Sequence, residues 1–218
     1  MNVQVVFLDG PPALQDDLDV KSVQRIDFLR AAIASLRGQY NFLISSSDSG
    51  FLRGANILQS GNAVEVINPK GPTLGALASA LLPIDSLNDS DPIVLVPTNS
   101  VTDSKSLEDF LKSMGDSRVA AGIMLIESTD PHYSYARVYE GRVIEILEKV
   151  IVGNLATTGV YFFRDKQILK ECARWAFVNN QNTDGKFYIA PSLNFVLSAG
   201  DEIGYQIVDS SNYQHLTW

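Results

Sequence analysis

The sequence is poor in cysteine and in basic charge, and each shortage excludes a class of protein. A single cysteine, Cys172, cannot form an intrachain disulfide, which indicates a reducing compartment. The 218 residues carry 17 basic and 25 acidic side chains, a formal net charge of −8. Because nucleic-acid binding needs a basic surface that displaces counterions, this charge argues against a nucleic-acid partner. A phosphorylated small molecule needs only a local cationic site and remains compatible with it.

Long apolar runs and histidine pairs at metal-ligand spacing are also missing. No apolar stretch is long enough to span a membrane, and residues 1–4 lack the basic start and apolar run of a signal peptide. The two histidines, His132 and His215, lie far apart along the chain. No internal repeat or low-complexity linker divides the sequence. We therefore expect a soluble cytoplasmic protein that folds as a single domain over residues 1–218.

Strand and helix patterns alternate through the first half of the chain. Short apolar runs predict buried strands at residues 3–8, 40–45, 63–67 and 92–96. Amphipathic or alanine-rich stretches predict helices at residues 22–36, 51–58, 73–82 and about 104–114, the last with Ser104 as its cap. This alternation predicts an α/β fold with a mostly parallel sheet and helices on both faces.

The second half predicts hairpins instead of regular crossovers. Strands are predicted at residues 119–126, 135–139, 142–147, 156–163 and 204–208, with helices at 165–178 and 191–197. The Glu140-Gly141 pair predicts a tight hairpin turn. The sheet is therefore expected to become mixed.

The ends of the predicted parallel strands indicate where a site would form. Ligands of open α/β sheets bind beyond the carboxyl ends of the strands. In this chain those ends are residues 9–10, 45–47, 68–70 and 97–99.

Five segments, in this order, resemble the sugar-phosphate nucleotidyltransferases, also called nucleotide-sugar pyrophosphorylases, and above all the branch found among surface-polysaccharide gene products. They are residues 73–77 (TLGAL), 93–99 (IVLVPTN), 134–149 (a hairpin ending in Glu148-Lys149), 154–163 (NLATTGVYFF) and 185–194 (GKFYIAPSLN). The resemblance implies a Rossmann-like three-layer α/β/α sandwich with a mixed, mostly parallel sheet, the nucleotide-diphospho-sugar transferase-like fold.

The resemblance also implies candidate catalytic residues. The family joins a sugar phosphate to a nucleoside triphosphate and releases pyrophosphate, with cationic side chains and Mg²⁺ on the phosphates. Lys149 would meet a phosphate, and Asn99 stands where the family carries its metal-binding aspartate. Asp103 is the candidate metal ligand, its alternative being a turn or cap residue before a helix. Mg²⁺ is the implied cofactor if the protein is catalytic.

Substrate contacts follow from the same resemblance. Glu148 would accept hydrogen bonds from sugar hydroxyls, Thr158 and Gly159 would approach the sugar, and Gly75 would approach the base. The candidate substrate-binding residues are Gly75, Thr73, Tyr135, Glu148, Thr158 and Gly159. The alternatives are a surface Glu-Lys pair at a strand end, ordinary turn glycines, and a tyrosine that packs instead of contacting a ligand.

The segment after the first strand departs from the family. Relatives carry a glycine-rich loop with an arginine and a lysine, whereas residues 9–20 contain one glycine, four aspartates and no basic residue. An acidic loop repels a triphosphate, unless its aspartates bind Mg²⁺.

This departure leaves several functions open. The chain would bind a nucleotide sugar or sugar phosphate in capsule or other surface-polysaccharide biosynthesis, without an evident phosphate loop or metal aspartate. It would alternatively be a non-catalytic regulatory or scaffold subunit, or an active nucleotidyltransferase with an atypical loop. An unrelated flavodoxin-like domain fits only the first half. Each of these functions is compatible with a homo-oligomer or with a partner enzyme.

Overall fold

The computed structural model describes residues 3–8, 40–45, 64–67 and 71–215. The helices predicted at 22–36 and 51–58, and the acidic segment 9–20, lie outside the described residues. The strands are β1 (Val3–Leu8), β2 (Tyr40–Ser45), β3 (Val64–Ile67), β4 (Ile93–Pro97), β5 (Ser100–Thr102), β6 (Ala121–Glu127), β7 (Tyr135–Tyr139), β8 (Arg142–Leu147), β9 (Leu155–Phe163), β10 (Ile203–Ile207) and β11 (Tyr213–His215). The helices are α1 (Ala76–Ala80), α2 (Ser104–Asp116), α3 (Lys166–Val178), α4 (Ile189–Ser192) and α5 (Asn194–Ser198), followed by a 3₁₀ turn at Ser210–Asn212.

The main sheet is mixed and mostly parallel, as the strand patterns predict. Its order is β10-β6-β9-β4-β1-β2-β3. Strands β1 to β4 pair in parallel, as do β6 and β10. Strand β9 lies antiparallel between β4 and β6, and the hairpin β7–β8 pairs beside its first residues. The turn of that hairpin is Glu140-Gly141, with φ of 48° and 76°.

Helices cover both faces of this sheet. Val5 and Phe7 of β1 pack with Phe110 of α2 in one apolar cluster. Val6 and Leu8 point to the opposite face and pack with residues of α1 and α3, among them Cys172. Because both faces are covered, β1, β4 and β6 are nearly continuous apolar runs instead of alternating ones. The described residues form the expected three-layer α/β/α sandwich.

Three predicted details differ in the structure. The helix predicted at 73–82 is the short α1, because Gly75 has φ 107° and ψ 177° and therefore lies outside helical backbone geometry. The helix predicted at 191–197 is two short helices, α4 and α5, with Leu193 between them. Asp103, and not Ser104, caps α2 and accepts a 3.0 Å hydrogen bond from the amide of Ser106.

Two short strands were not predicted. β5 and β11 pair antiparallel in a separate two-stranded sheet, with Ser100 opposite His215. Three-residue strands are too short to show a hydrophobic period, so only the folded chain reveals them. This pairing carries residues 213–215 to the carboxyl end of β4.

None of the helices in the described part of the chain has the length and apolarity that crossing a membrane requires.

Candidate functional site

A pocket of about 250 Å³ opens at the edge of the main sheet where β1 and β4 end. Leu8 and Pro97, the last residues of these strands, line it. Since β9 runs antiparallel to β4, the first half of β9 reaches the same edge. The pocket therefore lies where open α/β sheets bind ligands. Residues 9–10, 46–47 and 68–70, which end the other parallel strands, are outside the described residues.

Five residues predicted from the sequence come together here. Asn99, Glu148, Lys149, Thr158 and Gly159 all line the pocket. Asn99 follows β4, the Glu148-Lys149 pair follows β8, and the last two belong to β9. Strands that are separate in sequence thus place an amide, a carboxyl group and an ammonium group around one volume.

The carboxyl group of Glu148 is half-buried and held by a neighbour. It accepts a hydrogen bond from the hydroxyl of Ser134, which immediately precedes β7. Burial raises the pKa of Glu148, while the Ser134 hydrogen bond and the Lys149 charge oppose that rise. A desolvated carboxylate with a fixed orientation is a strong acceptor for a ligand hydroxyl.

Replacing Glu148 with glutamine is expected to stabilise the ligand-free protein by up to about 1 kcal/mol at neutral pH. The folded state holds this proton more tightly than the unfolded chain, so ionisation of Glu148 opposes folding. The advantage of Glu148→Gln should therefore be full above the folded-state pKa and vanish as the pH falls below the ordinary value of 4.5. Urea unfolding of both proteins from pH 4 to 8 measures it. A constant difference across this range would show that ionisation of Glu148 is not its cause.

Lys149 has an unusual backbone conformation, and its side chain has a defined hydrogen-bond partner. Its φ of 55° lies in the left-handed region that favours glycine. Its ammonium group donates a 3.2 Å hydrogen bond to the Tyr188 hydroxyl and lies 5.0 Å from the centre of that ring. The hydrogen bond raises the pKa of Lys149, so this side chain is a permanent cation at the pocket.

A bulge in β9 forms the wall between these groups and β4. The pairing register of β6 with β9 shifts at residues 158–160, where Gly159 has φ 89°. A Cβ on Gly159 would lie 2.8 Å from Cγ of Pro97, so a side chain there would collide with the end of β4. The hydroxyl of Thr158 donates to the carbonyl oxygen of Met124 at 3.2 Å, and its own carbonyl accepts from Ser100. Bulges commonly shape sites in this way.

Four predicted residues lie outside the pocket lining. Thr73 and Gly75 border it, because the Thr73 hydroxyl lies 2.7 Å from that of Ser79, a lining residue, and Gly75 precedes the lining residue Ala76. Tyr135 is fully buried and donates a 2.7 Å hydrogen bond to the carbonyl of Asp130. Asp103 caps α2. Tyr135 therefore packs in the core, and Asp103 serves as the N-cap of α2.

Several lining residues were missed by sequence reasoning. They are His132, Tyr133, Tyr161, Tyr188, Tyr213 and His215. The two histidines, far apart in sequence, both line the pocket, and the pairing of β11 with β5 places His215 there. The Tyr133 ring lies edge-on to those of Tyr213 and His215, at 6.3 and 5.9 Å between centres. Burial lowers the pKa of His215 and so favours its neutral form. No local motif signals these contacts.

The donors described at the pocket do not fit the implied Mg²⁺. Mg²⁺ prefers several charged oxygens in octahedral geometry, whereas Asn99 offers a neutral amide and Glu148 is held by Ser134. Within residues 3–8, 40–45, 64–67 and 71–215, no group of three or more His, Cys, Asp or Glu side chains could hold a metal ion. The aspartates of segment 9–20 lie outside these ranges.

No protein-family model and no curated protein sequence matches the chain. Solved structures do match its fold. It is similar to a nucleoside-diphosphate-sugar pyrophosphorylase from Vibrio cholerae RC9, with a TM-score of 0.75 and 16% identity over 97% of this chain and 95% of that one. An inositol-1-phosphate CTP transferase from T. maritima gives a TM-score of 0.69 and 14% identity over 97% and 86%.

A third similar structure is the CMP-2-keto-3-deoxy-manno-octonic acid synthetase in complex with CTP. It gives a TM-score of 0.67 and 10% identity over 96% of this chain and 90% of that one. At such identities the likeness concerns the fold. The chain has the nucleotide-diphospho-sugar transferase-like fold, as its five motif segments predict.

Proposed function

We propose that this protein binds a sugar phosphate or the sugar-phosphate end of a nucleotide sugar at the pocket, in the biosynthesis of capsule or another surface polysaccharide. In this proposal Glu148 accepts hydrogen bonds from sugar hydroxyls and Lys149 meets the phosphate. The similar structures, whose names include a nucleoside-diphosphate-sugar pyrophosphorylase and an inositol-1-phosphate CTP transferase, support the ligand class. The single cysteine supports a cytoplasmic place of action.

The observation that carries the proposal is the placement of Glu148 and Lys149 side by side in one pocket with tyrosine walls. A carboxylate selects hydroxyl donors, an ammonium group selects an anion, and aromatic rings cover the apolar face of a sugar. The volume of about 250 Å³ is below the roughly 300–1,000 Å³ of pockets that hold drug-sized ligands. A sugar phosphate fits such a volume, and the rest of a nucleotide sugar would extend beyond it.

We further propose that the protein binds this ligand without transferring a nucleotide. Phosphoryl transfer depends on cations arranged around the transferred group. Among the residues described at the pocket, the permanent cation is Lys149. Asn99 is neutral, at the position where the sequence resemblance implies a metal-binding aspartate. A non-catalytic member would act as a regulatory or scaffold subunit of a polysaccharide-synthesis complex.

Glucose 1-phosphate, other hexose 1-phosphates and their nucleotide sugars are the first ligands to test. A true ligand at 100 times its dissociation constant adds about 2.7 kcal/mol of stability. For a chain of this size, that corresponds to a rise in melting temperature of roughly 5–10 °C. We expect such a rise with at least one sugar phosphate or nucleotide sugar, and no pyrophosphate when nucleoside triphosphate and Mg²⁺ are added.

Two results would overturn parts of this proposal. Pyrophosphate release with any of these sugar phosphates would identify an active nucleotidyltransferase. A melting temperature that no sugar phosphate or nucleotide sugar changes would remove the binding function itself. Inorganic phosphate alone is the control, because it separates recognition of the sugar from simple anion binding.

A further inference from the structure

We propose that Tyr188 is the positioning residue of the phosphate-binding lysine: it holds the Lys149 ammonium group at the pocket before ligand arrives. This inference rests on the proposed function, since it assigns the device that prepares Lys149 for a phosphate. The two side chains are distant in sequence, and both line the pocket.

The contact between the two side chains has two components. The Lys149 ammonium group donates to the Tyr188 hydroxyl at 3.2 Å, and it also lies 5.0 Å from the ring centre. The first is a hydrogen bond from a charged donor, and the second is within the range of a cation–π attraction. A lysine side chain on its own is a flexible four-carbon stem. Two simultaneous contacts restrict that stem and reduce the entropy that ligand binding must remove.

Tyr188 is itself firmly placed by its neighbour. The amide of Phe187 donates to the carbonyl of Leu74 at 2.8 Å, and the carbonyl of Phe187 accepts from the amide of Leu77 at 3.1 Å. Tyr188 follows directly, with extended backbone, as the residue before α4. The hydroxyl that meets Lys149 is thus carried by a backbone tied to both sides of the turn that opens α1.

The backbone of Lys149 supports the same conclusion. Its φ of 55° disfavours side chains with a Cβ, and glycine would adopt it without strain. Strained backbone of this kind clusters at active sites and ligand-binding sites. Here the strained residue is the one whose ammonium group meets Tyr188.

The first test measures Lys149 without any ligand. Dimethylation of the lysines with ¹³C allows each ammonium group to be titrated by NMR, and Lys149→Met identifies the resonance of Lys149. The Tyr188 hydrogen bond favours the charged form, as do Glu148 and Asp184, which act on Lys149 through their charges. In Tyr188→Phe we expect the Lys149 titration to move to lower pH. An unchanged titration would overturn the inference whether or not a sugar phosphate binds.

The second test measures affinity for glucose 1-phosphate. Tyr188→Phe keeps the ring and removes the hydrogen bond, so we expect affinity to fall about two- to tenfold. The alkaline limit of binding should move to lower pH, and Tyr188→Leu, which also removes the ring, should weaken binding further. The melting temperature of each ligand-free variant monitors its folding.

A double-mutant cycle separates positioning from direct contact with the ligand. In a Lys149→Met background, Tyr188→Phe should leave affinity unchanged, because the group it holds is gone. An equal loss in both backgrounds would mean that Tyr188 touches the ligand directly and would overturn the positioning role. If wild-type protein binds no sugar phosphate at all, the proposed function fails, while the ligand-free titration still decides the role of Tyr188.

Discussion

Replacing Gly75 with alanine is expected to destabilise the protein by at least about 2 kcal/mol, the largest stability effect anticipated from a single added methyl group. The expected loss has two sources. Backbone at φ 107° and ψ 177° is open essentially to glycine alone, and forcing another residue into it costs about 1–3 kcal/mol. Overpacking adds about 1–3 kcal/mol where neighbours cannot move.

The neighbour of Gly75 is backbone, which leaves little room for adjustment. A Cβ at this position would lie 2.5 Å from the carbonyl oxygen of Phe187 and 2.8 Å from its nitrogen. Both atoms take part in hydrogen bonds, to Leu77 and Leu74. Relieving the collision would break the ties between the turn before α1 and the chain before α4. The glycine thus permits a close approach of two main-chain segments.

Gly141→Ala is the matched control for this experiment. Gly141 also has a positive φ, 76°, but apart from the glycine and its two chain neighbours no described atom lies within 4 Å of the position that a Cβ would take. Only the left-handed strain of about 1–2 kcal/mol should appear there. Urea unfolding of both variants measures the difference. Equal losses at the two positions would show that the contact with Phe187 does not set the cost at Gly75.

The parts of the fold that the sequence predicts are those determined by local patterns. Strands β1 and β4 are recognisable because their faces pack against different helix layers, Phe7 with α2 and Val6 with α1 and α3. Their apolar residues are therefore continuous. The β7–β8 hairpin is recognisable because the glycine of the Glu140-Gly141 pair suits a two-residue turn. Both residues have the positive φ that such a turn requires.

The parts that escape prediction are set by pairing between distant segments. Strand β11 forms only because it pairs with β5, and a three-residue strand has no periodic pattern of its own. Tyr213 and His215 reach the pocket through that pairing, so they could not be assigned to a site from their local sequence. Gly75 shows a second limit of prediction from sequence. The segment 73–77 singles out the glycine, but only the structure shows how closely it approaches the backbone of Phe187.

The same distinction applies within the candidate site. Glu148 and Lys149 are found from the sequence because they are adjacent and end a recognisable hairpin. Their partners are Ser134, which begins the same hairpin segment, and Tyr188, which lies in the segment 185–194. The resemblance assigns neither residue a contact with Glu148 or Lys149. A local pattern can therefore suggest a candidate binding group, whereas the side chains that contact it become visible only in the folded chain.

Lys149→Ala is expected to weaken the binding of glucose 1-phosphate by about tenfold to a hundredfold. A hydrogen bond to a charged group contributes about 1.5–3 kcal/mol, and about 1.4 kcal/mol is a factor of ten in affinity. The ammonium group lies at the pocket, and its hydrogen bond with Tyr188 raises the pKa of Lys149, so the charge is present throughout the neutral range. Titration calorimetry of both proteins measures the change. An unchanged affinity would remove Lys149 from the site.

The loss of affinity should result from removing this particular lysine and not from lowering the positive charge of the surface in general. Lys112→Ala on α2 removes the same charge from an exposed lysine that does not line the pocket, and should leave affinity within about twofold. Lys149 is also solvent-exposed, so Lys149→Ala should retain the melting temperature of the ligand-free protein. Raising the salt concentration should weaken wild-type binding more than that of Lys149→Ala, because only the wild type retains the ammonium–phosphate attraction. Equal salt dependence in the two proteins would mean that the phosphate is held by other groups.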